Sequence, residues 1–190
     1  MSSAIQNPSV SAGNAVTTWN IDPIHSAAEF KVKHMMIASI KGRFCGVTGA
    51  LAFNESDISK STVEASIPVA SLNTGDGQRD GHLKSADFFD AEKFPAMTFK
   101  STGVTVSGPT EGKVTGDLTV HGVTKRVTFE VDGPSAPGRD LSGNTRIGLS
   151  ARAKINRKDF GLIWNAALET GGVLVGDEVV LTLDVQFVKQ

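Results

Sequence analysis

The feature that most limits what this chain can become is a two-residue alternation of apolar and polar side chains that returns along most of its length. Ala28, Phe30 and Val32 share one parity while Glu29, Lys31 and Lys33 share the other, as in a strand with one wet face. The pattern recurs at Val63, Ala65, Ile67 and Val69, at Val127, Phe129 and Val131, at Ile147, Leu149, Ala151, Ala153 and Ile155, and at Val179, Leu181, Leu183, Val185 and Phe187. Such one-sided strands are expected to pair antiparallel. Between Val114–Val120 and Lys125–Val131 lies His121-Gly122-Val123-Thr124, whose glycine supplies the positive φ that a tight hairpin needs. Strands near Trp19, Phe30, Leu51, Val63, Phe99, Val114, Val127, Leu149 and Leu183 make the expected count eight or nine. Antiparallel sheets of that extent tend to curl and close, which removes their exposed edges. An open sandwich is the alternative.

Composition agrees with an all-β class: 20 glycines, many valines and threonines, no tyrosine and two tryptophans. At 190 residues the chain suits one domain, expected over residues 17–190 behind a disordered tail of residues 1–16, which is rich in Ser, Asn, Ala and Gly and has no hydrophobic period. Lysines and arginines total 19 against 20 acids, a formal charge of -1, so the chain lacks the basic field that phosphate-backbone binding needs, and nucleic acid is not an expected partner. Cys45 is the sole cysteine, which excludes an intrachain disulfide and a thiolate zinc cluster. The N-terminal stretch lacks the basic start and apolar run of a signal peptide, and no run of about 18 apolar residues appears. The expected location is therefore cytoplasmic, or periplasmic if an upstream leader was removed.

A barrel of about eight strands is just wide enough to be filled by its own side chains or to hold one slender ligand. Among the inward candidates, Ala28, Ala65, Ala151, Ala153, Gly116 and several valines are small, and large aromatics are few, which favours an elongated apolar cavity over a tight β-branched core. Gly81-His82-Leu83-Lys84-Ser85-Ala86-Asp87-Phe88-Phe89-Asp90-Ala91-Glu92-Lys93-Phe94-Pro95 interrupts the strands with an aromatic and acidic plug. Phenylalanines flanked by carboxylates cannot all face one way. The expectation is a lid whose rings pack inward while Asp87 and Asp90 stay wet or cap amides, with helical turns over Arg79–Lys84 and Asp87–Lys93 and an extended restart at Pro95.

Catalytic signatures are weak. Gly148-Leu149-Ser150-Ala151-Arg152 lacks the second glycine of a nucleophile elbow and lies in a strand pattern. Asp159-Phe160-Gly161 copies a kinase tripeptide without the accompanying loops. No phosphate-cradling glycine loop occurs, and the sequon Asn54-Glu55-Ser56 means little without an export signal. His25, His34, His82 and His121 form no metal-binding spacing, so backbone-bonded strand-end histidines are expected and no metal or other cofactor is. Asp22, Asp80, Asp87, Asp90 and Asp159 sit near turns, where capping is their commoner role.

Taken in order, several short strings resemble the YceI-like family of polyisoprenoid-binding proteins. They are Trp19-Asn20-Ile21-Asp22-Pro23-Ile24-His25-Ser26, Phe30-Lys31-Val32-Lys33-His34, Gly42-Arg43-Phe44, Arg79-Asp80-Gly81-His82-Leu83-Lys84-Ser85-Ala86-Asp87-Phe88-Phe89-Asp90, Phe94-Pro95 with Phe99-Lys100-Ser101, Gly116-Asp117-Leu118-Thr119 with Gly122-Val123-Thr124, and Ile155-Asn156-Arg157-Lys158-Asp159-Phe160-Gly161-Leu162. The resemblance implies an extended eight-stranded antiparallel lipocalin-like barrel, short helices in the 72–94 segment, and a long isoprenoid held inside, such as ubiquinone or another isoprenoid quinone, or a polyprenyl phosphate. It implies no catalytic motif. Carriage or sequestration of the lipid, transient membrane contact and a homodimer complete that picture.

On this reading Phe30, Val32, Ile67, Phe88, Phe89, Phe94, Phe99, Leu149, Ala151, Phe160 and Trp164 line or close the tunnel. His25, Arg79, His82, Lys84 and Arg157 are the candidates for a polar mouth, each of which could equally sit in a surface ion pair, the reading favoured for Arg79 and Lys84. Two other classes stay open: an enzyme or redox helper acting on a quinone head group through these histidines and acids, and a stress-related interaction module with an incidental hole.

Overall fold

The computed structural model describes residues 16–169 and 171–190; the expected tail lies outside them except for Val16, which opens the first strand. Among the described residues there are eleven strands: β1 Val16–Ile21, β2 Ala27–His34, β3 Ala38–Phe44, β4 Thr48–Asn54, β5 Thr62–Pro68, β6 Ala96–Val106, β7 Glu111–Val120, β8 Val123–Asp132, the two-residue β9 Gly138–Arg139, β10 Thr145–Asn156 and β11 Val175–Lys189. The single α-helix among them is α1, Gly77–Lys84. Eight strands close a ring in the order β11, β1, β4, β5, β6, β7, β8, β10 and back to β11, every pairing antiparallel. The expected antiparallel barrel is present, and the open sandwich is not.

The longest strand explains the shape. One edge of β11 pairs with β10 from Arg146↔Val188 to Asn156↔Glu178. Its other edge is shared, by β1 at Trp19–Ile21 and by β2 from Ala27 to His34. Between them the chain loops outward at Asp22–Ser26, and the buried Ser26 spans the break: its hydroxyl accepts from the Gln186 amide at 3.1 Å and donates to the Gln186 carbonyl at 3.4 Å. A serine here replaces a missing backbone pair. The β2–β3 hairpin then extends the wall at one end of the barrel. Its free edge is tied to the segment before α1 by reciprocal backbone bonds between Arg43 and Asn73, both 2.9 Å.

The hairpin expected at His121-Gly122 forms as a two-residue turn, φ 52° and 71°, with Val120 opposite Val123. Positive φ at both positions matches the twist of the flanking strands. Two local expectations need correction. The expected strand roster omitted β3 and β9. Asp87–Lys93 is not helical: Asp90 takes φ 48°, and the segment folds as turns in which the Phe89 amide donates to the Leu83 carbonyl and the Ala91 amide to the Lys84 carbonyl. Asp76, which caps α1 by accepting from the Arg79 amide at 2.8 Å, starts the helix two residues before the expected Arg79.

Two junctions of the ring are short, β1 with β11 and β8 with β10, at three residue pairs each. β8 and β10 pair only at Ser150↔Asp132, Ala151↔Val131 and Arg152↔Glu130. Beyond them the wall is completed by the turn Arg157–Phe160, whose Phe160 is 1% exposed. Asp159-Phe160-Gly161 thus has a structural role, with Gly161 at φ 78° ending the turn.

Candidate functional site: an apolar bore under an aromatic plug

The inward faces of the barrel do not meet. They enclose a cavity of about 280 Å³, where a single water needs only about 10–15 Å³ on the same measure; this is a chamber, not a packing defect. It extends from Val32, Leu83, Phe88 and Arg157 beneath the plug to Ile58, Thr62 and the Val106–Glu111 connection at the opposite end. With β10 at 12 residues, a rise of about 3.3 Å per residue and a strand tilt of about 40° make the bore roughly 30 Å long. Ala28, Ala65 and Ala151 hold it open, as their size predicts. Ala153 and Gly116 do not line it. A side chain at Gly116 would begin 2.5 Å from the ring of Phe99, so that glycine makes room for a neighbouring aromatic.

Of the residues expected along the tunnel, Phe30, Val32, Ile67, Phe88, Phe89, Phe99, Leu149, Ala151 and Phe160 border the cavity. Phe94 and Trp164 do not. Phe94 sits against Gly122 and stacks edge-on with His121 at 4.8 Å. Trp164 lies on the outer layer of the plug, 4.7 Å from the ring of His82 and 5.3 Å from Phe88. The plug is therefore two-layered. Inside, Phe89 stands edge-on to Phe44 at 5.7 Å, and Phe44 tilts against Phe30 at 5.8 Å. Outside, His82 and Trp164 cover Phe88, and His82 Nε2 bonds Asp87 at 2.9 Å. None of the eight residues of α1 is fully buried, so the helix rests on the barrel by Leu83 and the phenylalanines that follow it.

The five mouth candidates fall in three places. His25 is on the outer wall, in the Asp22–Ser26 loop, where its Nδ1 lies 2.9 Å from Asp22. Arg79, with Nε donating to Thr74 Oγ1 at 2.7 Å and Nη2 to the Thr74 carbonyl at 2.9 Å, braces the start of α1. His82 and Lys84 lie on the same helix, outside the bore. Arg157 alone borders the cavity. Its five donors are all matched: Nε to the Gly176 carbonyl at 2.9 Å, Nη1 to the Leu162 and Trp164 carbonyls at 2.5 and 2.8 Å, and Nη2 to the Val175 carbonyl and Asp177 Oδ1, both 3.4 Å. Burial lowers its pKa from the usual arginine value, and Asp177 opposes that shift. It clamps the Leu162–Trp164 segment to the start of β11.

Sequence reasoning missed the polar rim at the far end, where Thr110, Glu111 and Lys113 join the lining. No motif marks it, because it exists only once β6 and β7 are in register. Among the described residues, no group of three or more His, Cys, Asp or Glu side chains could hold a metal ion. Ser150 is engaged with Asp184 at 2.5 Å. No helix among them is long and apolar enough to cross a membrane.

The polar network around His25 behaves as a brace. Arg146 reaches Asp22 at 2.5 Å and Asp140 at 2.6 Å. Its hydrogen bonds hold both carboxyls below the ordinary range, Asp140 down to about 2 with help from Asn144, and Asp22 with help from His25. Groups whose pKa falls on folding contribute stability that is complete above the unfolded carboxylate value of about 3.9 and disappears as pH falls through the folded value. The urea midpoint should therefore be flat near neutrality and fall from about pH 4 toward 2. Arg146→Met should be less stable at neutral pH and show a shallower acid slope in the same titration.

The family profile of the YceI-like domain matches residues 19–187. The chain belongs to the YceI-like family. A UPF0312 protein of Staphylococcus aureus is 37% identical over 172 residues, covering 90% of this chain and 98% of its own length. Among solved structures, a YceI protein of Campylobacter jejuni is 30% identical with TM-score 0.70, covering 84% of this chain and 91% of that one. BcnA of Burkholderia cenocepacia superimposes with TM-score 0.74 at 23% identity, over 87% and 98% of the two chains. A polyisoprenoid-binding domain from Saccharophagus degradans shares the YceI-like barrel at TM-score 0.62 and 16% identity, over 93% and 100%.

Proposed function

We infer that this YceI-like protein binds the tail of a long isoprenoid lipid in the bore, and carries or sequesters it without chemical conversion. The observation that supports this reading most directly is the continuous chamber, lined mostly by hydrocarbon between a polar rim and a cover of aromatic rings. The polyisoprenoid-binding description of a barrel relative points the same way. Large ligands realise about 0.3 kcal/mol per heavy atom after ordering costs. A tail of about forty carbons thus approaches ~12 kcal/mol, the nanomolar range.

Between the two head-group classes, a neutral quinone suits this bore better than a phosphate. A pyrophosphate calls for several free cations. The charged residues bordering the cavity are Glu29, Glu111, Lys113 and Arg157, and the donors of Arg157 are already matched to protein acceptors.

Organic extraction of the purified protein followed by mass spectrometry should recover a prenyl lipid, and delipidated protein should take up ubiquinone more tightly than a polyprenyl phosphate of similar length. A clean extract together with no uptake of either lipid would remove the reading. Tighter uptake of the phosphate would remove the quinone preference alone.

A further inference from the structure

Of the nine large hydrophobic side chains exposed among the described residues, five gather at the plug end of the barrel: Met35, Met36, Ile37, Ile163 and Val173. Met36, Ile37 and Ile163 are 59%, 80% and 69% exposed. The first three form the tip of the β2–β3 hairpin, and the Met35 amide bonds the Leu174 carbonyl at 2.8 Å, which places Val173 beside them. The tip is also strained. Met35 and Met36 take φ 51° and 60° in a turn closed by Ile37 N–H to His34 O at 3.2 Å. That conformation favours Asn-Gly and disfavours residues with long side chains. Two methionines held there and left in water serve neither the turn nor the core.

The shaft of the hairpin supplies a second, independent observation. Lys31 lies directly opposite Lys41, an arrangement of like charges that destabilises a strand pair. Both are exposed, as is Lys33, and none of the three has an ion-pair partner among the described residues, whereas the neighbouring Lys154 and Lys158 are paired with Glu178 and Asp177. At about 3.3 Å per residue, Lys33 and Lys31 stand roughly 7 and 13 Å behind Met35. An apolar tip with a collar of uncompensated lysines at this spacing matches hydrocarbon below phosphate.

We propose that the β2–β3 hairpin is a membrane-docking element: Met35, Met36 and Ile37 insert into a bilayer surface while Lys31, Lys33 and Lys41 contact anionic head groups, with the aromatic plug facing the membrane. The partner is an anionic lipid surface. The inference stands apart from what the bore holds, because it rests only on the outside of the barrel.

The test is flotation of the purified chain with phosphatidylcholine vesicles, with and without phosphatidylglycerol and free of any prenyl lipid, at low and high salt. Wild type should float with anionic vesicles and lose that binding as salt rises. Each lysine near an anionic surface contributes about five-fold, so the triple Lys31→Gln, Lys33→Gln, Lys41→Gln variant should bind roughly a hundred-fold more weakly. Met36→Ser with Ile37→Ser should lose about ten-fold or more through the apolar contacts. Met35→Asn with Met36→Gly relieves the turn, so this variant should melt higher than wild type and yet bind vesicles more weakly, an outcome that misfolding cannot produce. Failure of wild type to float, or variants that float as wild type does, would overturn the proposal. So would tip variants that turn a sedimenting dimer into a monomer while vesicle binding is absent, since the occupant would then be a second copy of the chain.

Discussion

Replacing Ala151 with phenylalanine should sharply weaken lipid uptake while the barrel stays folded. Ala151 is 9% exposed and sits in β10 with Val131 and Leu183 as its cross-strand partners. Its methyl borders the chamber. A benzyl group there projects across a bore that is already narrow and leaves no continuous path for a slender chain. Uptake of ubiquinone should weaken by about a hundred-fold or more, equivalent to roughly 2.7 kcal/mol, the contribution of only about nine tail atoms. Stability should hold or rise, because the ring gains dispersion contacts in space that was lined but not filled. Uptake titrations read beside thermal unfolding separate the two effects. A folded variant that binds as wild type does would show that the bore is not where the lipid sits.

The second large effect concerns Arg157. Arg157→Met keeps the aliphatic length and removes the guanidinium, which leaves the carbonyls of Gly176, Leu162 and Trp164 without this donor and Asp177 with only Lys158. Leaving buried carbonyls without their donor costs about 1–3 kcal/mol each, roughly 3–5 kcal/mol in all. For a chain of this size that lowers the melting temperature by roughly 10 °C. Arg157→Lys should recover less than half of the loss, because one ammonium cannot address carbonyls arranged for a planar fork. Amide exchange in the 161–169 loop should rise in both variants, since the clamp holds that loop against β11. Wild-type melting in Arg157→Met would refute the clamp.

The motif that carries Arg157 was visible in the sequence, but its partners were not. Nothing in Ile155-Asn156-Arg157-Lys158 indicates that five acceptors from residues up to twenty positions away converge on one side chain. The same limit explains the aromatic plug. Gly81–Pro95 was recognisable as a lid by its mixture of rings and carboxylates, and Phe88 and Phe89 do turn inward. Phe94 was grouped with them by type, yet it lies against Gly122 and His121, which belong to a distant hairpin. His25 entered as a mouth candidate because its motif is strong. The Asp22–Ser26 loop instead carries it to the outer wall, because β1 and β2 share one edge of β11 and the chain must bulge between them.

What this sequence determined by itself is the antiparallel sheet, its inward and outward faces and the His121-Gly122 turn. Each follows from backbone geometry within a few residues, where the strand period is two and a tight turn demands positive φ. Only the tertiary structure decided that the centre is hollow, that a clamp and a two-layered plug close one end, and that an apolar tip with unpaired lysines stands beside them. Those properties depend on the summed volumes and register of eight strands and on side chains brought together from opposite ends of the chain, which no local pattern encodes.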